Sequence, residues 1–249
     1  MIELGTIVLL WCAVVLFSAG AVKGILGIGL PVVAIPLLAL VMPVPQAVAL
    51  MPIPIVISNI WQAFHGGYFL PAWRRFWPLI LGLVVGTVIG VKLLASVDPR
   101  ALYIVIGVVV MVFALTSFFS PRLRLPAHGE RWLGLAIGLA SGVIGGMSTI
   151  YGPALIMFLI ALRLPKDEFV GTIATFYLSA AVPLTLALGA FGVMGTRELI
   201  ASTLATLPLF IGVLGGQLLR TRLNQEAFRK GLLAMLLVAG LVLIKRAAF

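Results

Sequence analysis

The sequence predicts an all-α polytopic membrane protein built from two inverted repeats, each a broken, re-entrant helical hairpin followed by three transmembrane helices. Three observations lead there. Of 249 residues, 62% are hydrophobic and 10% charged, and the mean hydropathy is +1.24. A soluble domain carries about a quarter charged residues, so almost none of this chain is soluble. Two long apolar runs are interrupted by glycine, proline and polar residues: Ser18-Ala19-Gly20-Ala21-Val22-Lys23-Gly24-Ile25-Leu26-Gly27-Ile28-Gly29-Leu30-Pro31, and Ser141-Gly142-Val143-Ile144-Gly145-Gly146-Met147-Ser148-Thr149-Ile150-Tyr151-Gly152-Pro153. The interruptions also recur at a fixed spacing.

The first run covers about 4–42, too long for one crossing of about 20 residues, and Pro43-Val44-Pro45 ends it. A segment at about 47–64 follows; Pro52 and Pro54 are expected to kink it, since each removes a backbone donor. His65-Gly66-Gly67 makes a turn, and Trp73, Arg74, Arg75 and Trp77 form an interfacial patch. The segment at about 78–96 spaces Gly82, Gly86 and Gly90 four apart, a small-residue face suited to close helix packing in lipid. After Asp98-Pro99-Arg100 comes a segment at about 101–119. The polar loop at about 120–131, with Arg122, Arg124, His128, Glu130 and Arg131, divides the chain into repeats 1–122 and 123–249. The second broken run covers about 132–162, and segments at about 169–191, 199–219 and 226–244 complete the count. That gives roughly eight hydrophobic elements at about 20 residues per crossing.

The halves match at a fixed shift. Gly20, Gly24, Pro31 and Pro43 correspond to Gly142, Gly146, Pro153 and Pro165, each 122 later; Gly86, Gly90, Asp98 and Ala101 correspond to Gly212, Gly216, Asn224 and Ala227, each 126 later. Repeats of this kind are a mark of secondary transporters, whose sites lie at the repeat interface near the midplane.

Basic residues choose the topology. If each element crosses once, the loop Lys and Arg residues divide evenly and give no orientation. If each broken run enters and leaves on one side, Arg74, Arg75, Arg122, Arg124, Arg131, Arg163, Lys166, Arg220, Arg222, Arg229 and Lys230 collect together, opposite Arg100, Arg197, Lys245 and Arg246. That is a positive-inside pattern. It predicts a multi-pass protein of the cell inner (plasma) membrane with both termini outside and the repeats inverted. Trp61, Trp73, Trp77 and Trp132 then share one interface, as an aromatic belt does.

The segments GILGIGLPVVAIPLL and GGMSTIYGPALIMFLI resemble the two signature segments of the sulfite exporter TauE/SafE family, also called the 4-toluene sulfonate uptake permeases. The resemblance covers the whole chain and implies a transporter of sulfite, organosulfonates or related small organic anions.

For an anion, broken helices offer unpaired backbone N–H groups and the positive end of the helix dipole. The second arms start near Gly29-Pro31 and Gly152-Pro153, and the two breaks are expected to meet in the membrane around the ligand. The candidate substrate-binding residues are Lys23, Gly27, Gly29, Asn59, Gln62, Ser148, Thr149, Tyr151, Gly152 and Thr175. Lys23 supplies a full positive charge or else snorkels to an interface. The hydroxyls of Ser148, Thr149, Tyr151 and Thr175 donate to the ligand or bond local backbone. Asn59 and Gln62 lie three apart on one helical face. His65 is a surface histidine or a proton carrier.

Other classes are disfavoured. Net charge is +10, but in so apolar a chain that reads as cytoplasmic loops and not as nucleic-acid binding. The single cysteine, Cys12, excludes an internal disulfide, and no metal-ligand spacing occurs. No nucleophile–base pair is visible, so an enzyme is not expected, nor any cofactor. The seven acidic residues all fall at ends or in loops, which favours an anion site over a cation site. The expected partners are a small anionic substrate and the lipid bilayer, with a homodimer left open. An alternating-access carrier leads; an anion channel, or a carrier for a carboxylate or thiosulfate, is the alternative.

Overall fold

The computed structural model describes residues 2–27, 29–119, 130–220 and 222–248. Among the described residues there are twelve α-helices and no strand: α1 (Ile2–Leu26), α2 (Leu30–Leu38), α3 (Val44–Ala49), α4 (Pro52–Phe64), α5 (Phe69–Arg75), α6 (Trp77–Ser96), α7 (Pro99–Phe119), α8 (Glu130–Ser148), α9 (Gly152–Ala161), α10 (Lys166–Ala190), α11 (Thr196–Leu219) and α12 (Gln225–Ala248). Seven spans among them are long and apolar enough to cross a membrane: Gly5–Leu26, Val44–Phe64, Trp77–Ser96, Pro99–Phe118, Asp167–Ala190, Thr196–Leu219 and Glu226–Ala247. The all-α polytopic membrane class is thus correct. Both predicted breaks are present, between α1 and α2 and between α8 and α9. The repeat boundary and central-loop residues Pro121, Arg122, Arg124, Pro126 and His128 lie outside the described residues, as do Ile28 and the side chains of Trp61, His65 and Lys166.

The chain forms two compact units, and neither is a sequence half. One comprises Met1–Pro54, Asp98–Phe118 and Thr196–Phe249; the other comprises Ile55–Val97 and Phe119–Gly195.

In the first unit, α1 lies against α11. A Cβ on Gly20 would meet the Leu209 carbonyl, and one on Gly24 the Val213 carbonyl; reciprocally, Gly212 faces the Phe17 carbonyl and Gly216 that of Ala21. The numbers rise together, so the two helices run parallel with their backbones in direct contact. α2 doubles back along α1, for Trp11 Nε1 donates to the Leu37 carbonyl at 3.1 Å. Arg246 of α12 donates to the Ala39 and Leu40 carbonyls at 2.8 and 2.6 Å, holding the far end of α2. It also lies over the Tyr103 ring, 5.1 Å from its centroid. Gly107 meets Gly240, and Arg229 Nη2 donates to the Ser117 carbonyl at 3.0 Å, so α7 and α12 are antiparallel.

The expected kink in the 47–64 segment is a full interruption at Leu50 and Met51. Pro54 has no N–H to bond the Leu50 carbonyl. Ser202 of α11 replaces it: its hydroxyl donates to the Leu50 carbonyl at 3.1 Å and accepts from the Ile53 N–H at 3.2 Å. Broken backbone within a membrane span requires such a substitute partner.

In the second unit, α6 lies against α8 by the same design. Gly142 faces the Leu83 carbonyl, Gly146 that of Thr87, Gly86 that of Leu139 and Gly90 that of Val143. Adding 122 to Gly20, Gly24, Phe17 and Ala21, and subtracting 126 from Leu209, Val213, Gly212 and Gly216, gives these very pairs. The duplicated residues thus make duplicated contacts, which supports the repeat read from glycine spacing.

The second broken run leaves where it enters. Arg75, just before α6, bonds Glu130 at the start of α8 at 2.9 and 3.2 Å, and its guanidinium lies 3.8 Å from Glu168 in the first turn of α10. One side chain therefore reaches the residue that opens the hairpin and a residue just past its exit. Trp73, Trp77 and Trp132 are exposed at that end, where the aromatic belt was expected.

Candidate functional site

Each unit carries one break. In the first, Gly27 and Gly29 adopt φ +82° and +102°. An L side chain resists that region, so glycine ends α1 and starts α2 there without strain. Gly29 is the N-cap of α2, it supplies no side-chain cap, and Pro31 follows in the first turn. The first N–H groups of α2 thus lack intrahelical partners. Lys23 lies one turn before the break, at the end of α1, and is 6% exposed. It is buried in a helix of mostly aliphatic residues, while Lys92 is exposed.

The first break is level with the last turns of its partner helix α11. Gly24 lies beside Val213 and Gln217, and α11 ends at Leu219. The 25 residues of α1 extend about 37 Å at 1.5 Å per residue, enough to cross a bilayer core of about 30 Å. In the second unit Gly146 meets Gly90 and α6 ends at Ser96, so that break is also level with the last turns of its partner.

The second break is built otherwise. Thr149 holds φ +58° without being glycine. Its hydroxyl donates to the Ser148 carbonyl at 2.7 Å; the Ser148 hydroxyl donates to the Ile144 carbonyl at 2.7 Å and accepts from the Ile150 N–H at 3.1 Å. These two candidate donors therefore staple the turn. Gly152 begins α9 with Pro153 in the first turn and Tyr151 as N-cap. Tyr151 is buried, with its ring against Gly145, where a Cβ would overlap it, and edge-on to Tyr177 at 5.9 Å between centroids.

The remaining candidates also lie in the second unit. Asn59 is buried and its amide nitrogen donates to the Ile55 carbonyl at 2.7 Å; Gln62 is half-buried on the same helix. Thr175 is buried and donates to the Gly171 carbonyl at 2.8 Å. Of the neighbouring polar residues, Ser179 accepts from Trp73 Nε1 at 3.1 Å. The sequence reading did not single out Thr87, buried where α6 meets Gly142 and Gly146, or assign a role to Ser141, buried on α8. At the Arg75 end, the hydrogen bond and charge of Glu130 push the guanidinium pKa above its ordinary value. Among the described residues no group of His, Cys, Asp and Glu is placed to hold a metal ion.

A buried lysine beside a glycine break, in a chain of membrane-spanning helices, fits a family model that matches residues 12–243, the sulfite exporter TauE/SafE model. The chain belongs to the sulfite exporter TauE/SafE family. Membership makes it a membrane transport protein from a family handling sulfur anions such as sulfite. The matched region takes in both breaks and every TauE/SafE candidate residue named above. No curated protein and no solved structure matches the chain.

Proposed function

We propose that this protein is a secondary transporter of a small sulfur oxyanion, sulfite or an organosulfonate, working by alternating access with the two helix breaks as its substrate-facing elements. The observation that carries the reading is the first break: Gly27 and Gly29 at positive φ, an N-terminal helix start at Leu30, and buried Lys23 one turn away. Unpaired amides and a cation together suit an anion. A lysine held in a membrane span is costly unless it faces a cavity or a partner. Two compact units with one break each supply the bodies that such a cycle needs.

The proposed orientation places both termini outside, with the Arg75 end cytoplasmic. Crossing parity supports it. The C-terminal end of α7 meets the N-terminal end of α12, through Ser117 and Arg229. An even number of crossings must then separate them, so one of the three intervening elements returns to its own side. The Arg75 contacts to Glu130 and Glu168 support α8–α9 as that element.

Sulfite counterflow into liposomes containing the purified protein tests the reading. A carrier saturates and accumulates labelled sulfite against its gradient when unlabelled sulfite is trapped inside. Saturable flux without counterflow favours a channel, and no sulfite flux above empty liposomes rejects both.

A further inference from the structure

We propose that the interrupted span Val44–Phe64 is the pivot of the transport cycle, with Pro52 and Pro54 keeping it open and Ser202 positioning its two edges; this rests on the alternating-access reading and gives it a moving part. The span is apolar and long enough to cross a membrane, yet it is two helices, α3 and α4. The chain passes from one compact unit to the other between Pro54 and Ile55, in the first turn of α4. It passes between them again at Val97–Asp98, Phe118–Phe119 and Gly195–Thr196, and each of these lies at a helix end. The first passage differs, because it falls inside a span. A continuous helix there would run from unit to unit as one rod, each N–H tied to the carbonyl four residues earlier.

The sequence prevents that rod. Proline has no N–H, so Pro52 cannot bond the Val48 carbonyl, nor Pro54 that of Leu50. The Val48 carbonyl accepts the Met51 N–H instead, at 3.0 Å. The Leu50 carbonyl accepts the Ser202 hydroxyl at 3.1 Å, and that hydroxyl accepts the Ile53 N–H at 3.2 Å. Ser202 is fully buried. The two edges of the break are thus tied through one side-chain oxygen of α11. Bending such a tie strains two hydrogen bonds, while bending a helix strains a whole turn of its ladder. Hinges are built this way, from a few residues at element ends that absorb the change in φ and ψ. Leu50, Ile53 and Ser202 belong to the same unit, so the tie fixes the pivot to that unit. One turn past the boundary is Asn59, whose amide donates to the Ile55 carbonyl at 2.7 Å. A swing about the break therefore carries the candidate substrate residues Asn59 and Gln62 with α4.

The test restores the missing N–H groups. Full-length wild type, Pro52→Ala/Pro54→Ala and the control Pro208→Ala, a proline inside α11 and away from any passage between units, are compared. Labelled sulfite exchange is measured in liposomes, and sulfite affinity by calorimetry. The double variant is expected to exchange at least about tenfold more slowly while its affinity stays within about twofold, since a stiffened hinge slows the conformational step and leaves the site intact. Pro208→Ala should match wild type in both. An unchanged rate in the double variant overturns the pivot. So does an equal slowing in Pro208→Ala, or a rate and an affinity lost together, which would make the span part of the site's shape. If the double variant does not fold, hydrogen exchange of wild type decides: sulfite should change the protection of the Leu50–Ile55 amides, and unchanged protection overturns the pivot. Wild type that exchanges no sulfite removes the transport reading itself, and that baseline separates the two failures.

Discussion

Each compact unit has one helix break, level with the last turns of its partner helix, yet the two breaks are made by different means. The first relies on glycine: Gly27 and Gly29 adopt left-handed backbone freely, and the polar group beside them is a lysine. The second forces Thr149 into the same region and holds it with a short chain of hydroxyl bonds through Ser148. The same kind of bend is thus made by different residues in the two units. What the copies share is the backbone contact behind each break, parallel helices held together through glycine. What they do not share is the chemistry offered at the tip, charged in one unit and neutral in the other.

The shared part should be the most sensitive. Gly20→Val and Gly142→Val each drive a side chain into a backbone carbonyl across the helix pair. Each is expected to cost about 3 kcal/mol or more, at the upper end of overpacking penalties, read as lost folded yield or a lowered melting midpoint. Equal losses in both confirm the duplicated contact; a tolerated change in one breaks the correspondence. Next is Ser202→Ala, which strips two bonds from the interrupted backbone at Leu50 and Ile53. It should cost about 2 kcal/mol by leaving buried backbone groups unmet.

The breaks themselves should respond unequally. Gly27→Ala meets no atom within 4 Å, so its cost is the left-handed backbone alone, about 1 kcal/mol. Thr149→Gly relieves that same strain but gives up the bond to the Ser148 carbonyl, and the net change should be under about 1 kcal/mol. A larger loss from Thr149→Gly than from Gly27→Ala contradicts the account of how each turn is made. The smallest effect belongs to Glu130→Gln. Arg75 is 43% exposed in this pair, and surface ion pairs contribute about 0–1 kcal/mol.

Much of this was legible in the sequence, because membrane helices announce themselves by length and hydropathy. The helix ends fell within a few residues of expectation, and both breaks were visible as glycine and proline inside apolar runs. Basic loop residues pointed to re-entrant hairpins, and in the second unit Arg75 reaches both Glu130 and Glu168. Helix pairing was hidden. Gly82, Gly86 and Gly90 show that a close partner exists but do not say which helix it is; the partner, α8, lies in the other sequence half. The level of the first break against its partner helix was hidden for the same reason, since it follows from the alignment of α1 with α11. Ser202 and Arg246 gave no signal, because a serine in an apolar helix and an arginine near a terminus are ordinary. Ser141 was given no role, and its hydroxyl lacks a hydrogen-bond partner among the described residues. For Ser148, Thr149 and Thr175, residue type suggested donors, and three-dimensional geometry shows bonds to local carbonyls.

The central claim is that the first break, with its buried lysine, receives the anion. Sulfite affinity of purified Lys23→Met against wild type tests it most directly. The account predicts affinity weaker by at least about tenfold, the scale of a lost charged hydrogen bond. Equal affinity in the two proteins would contradict it.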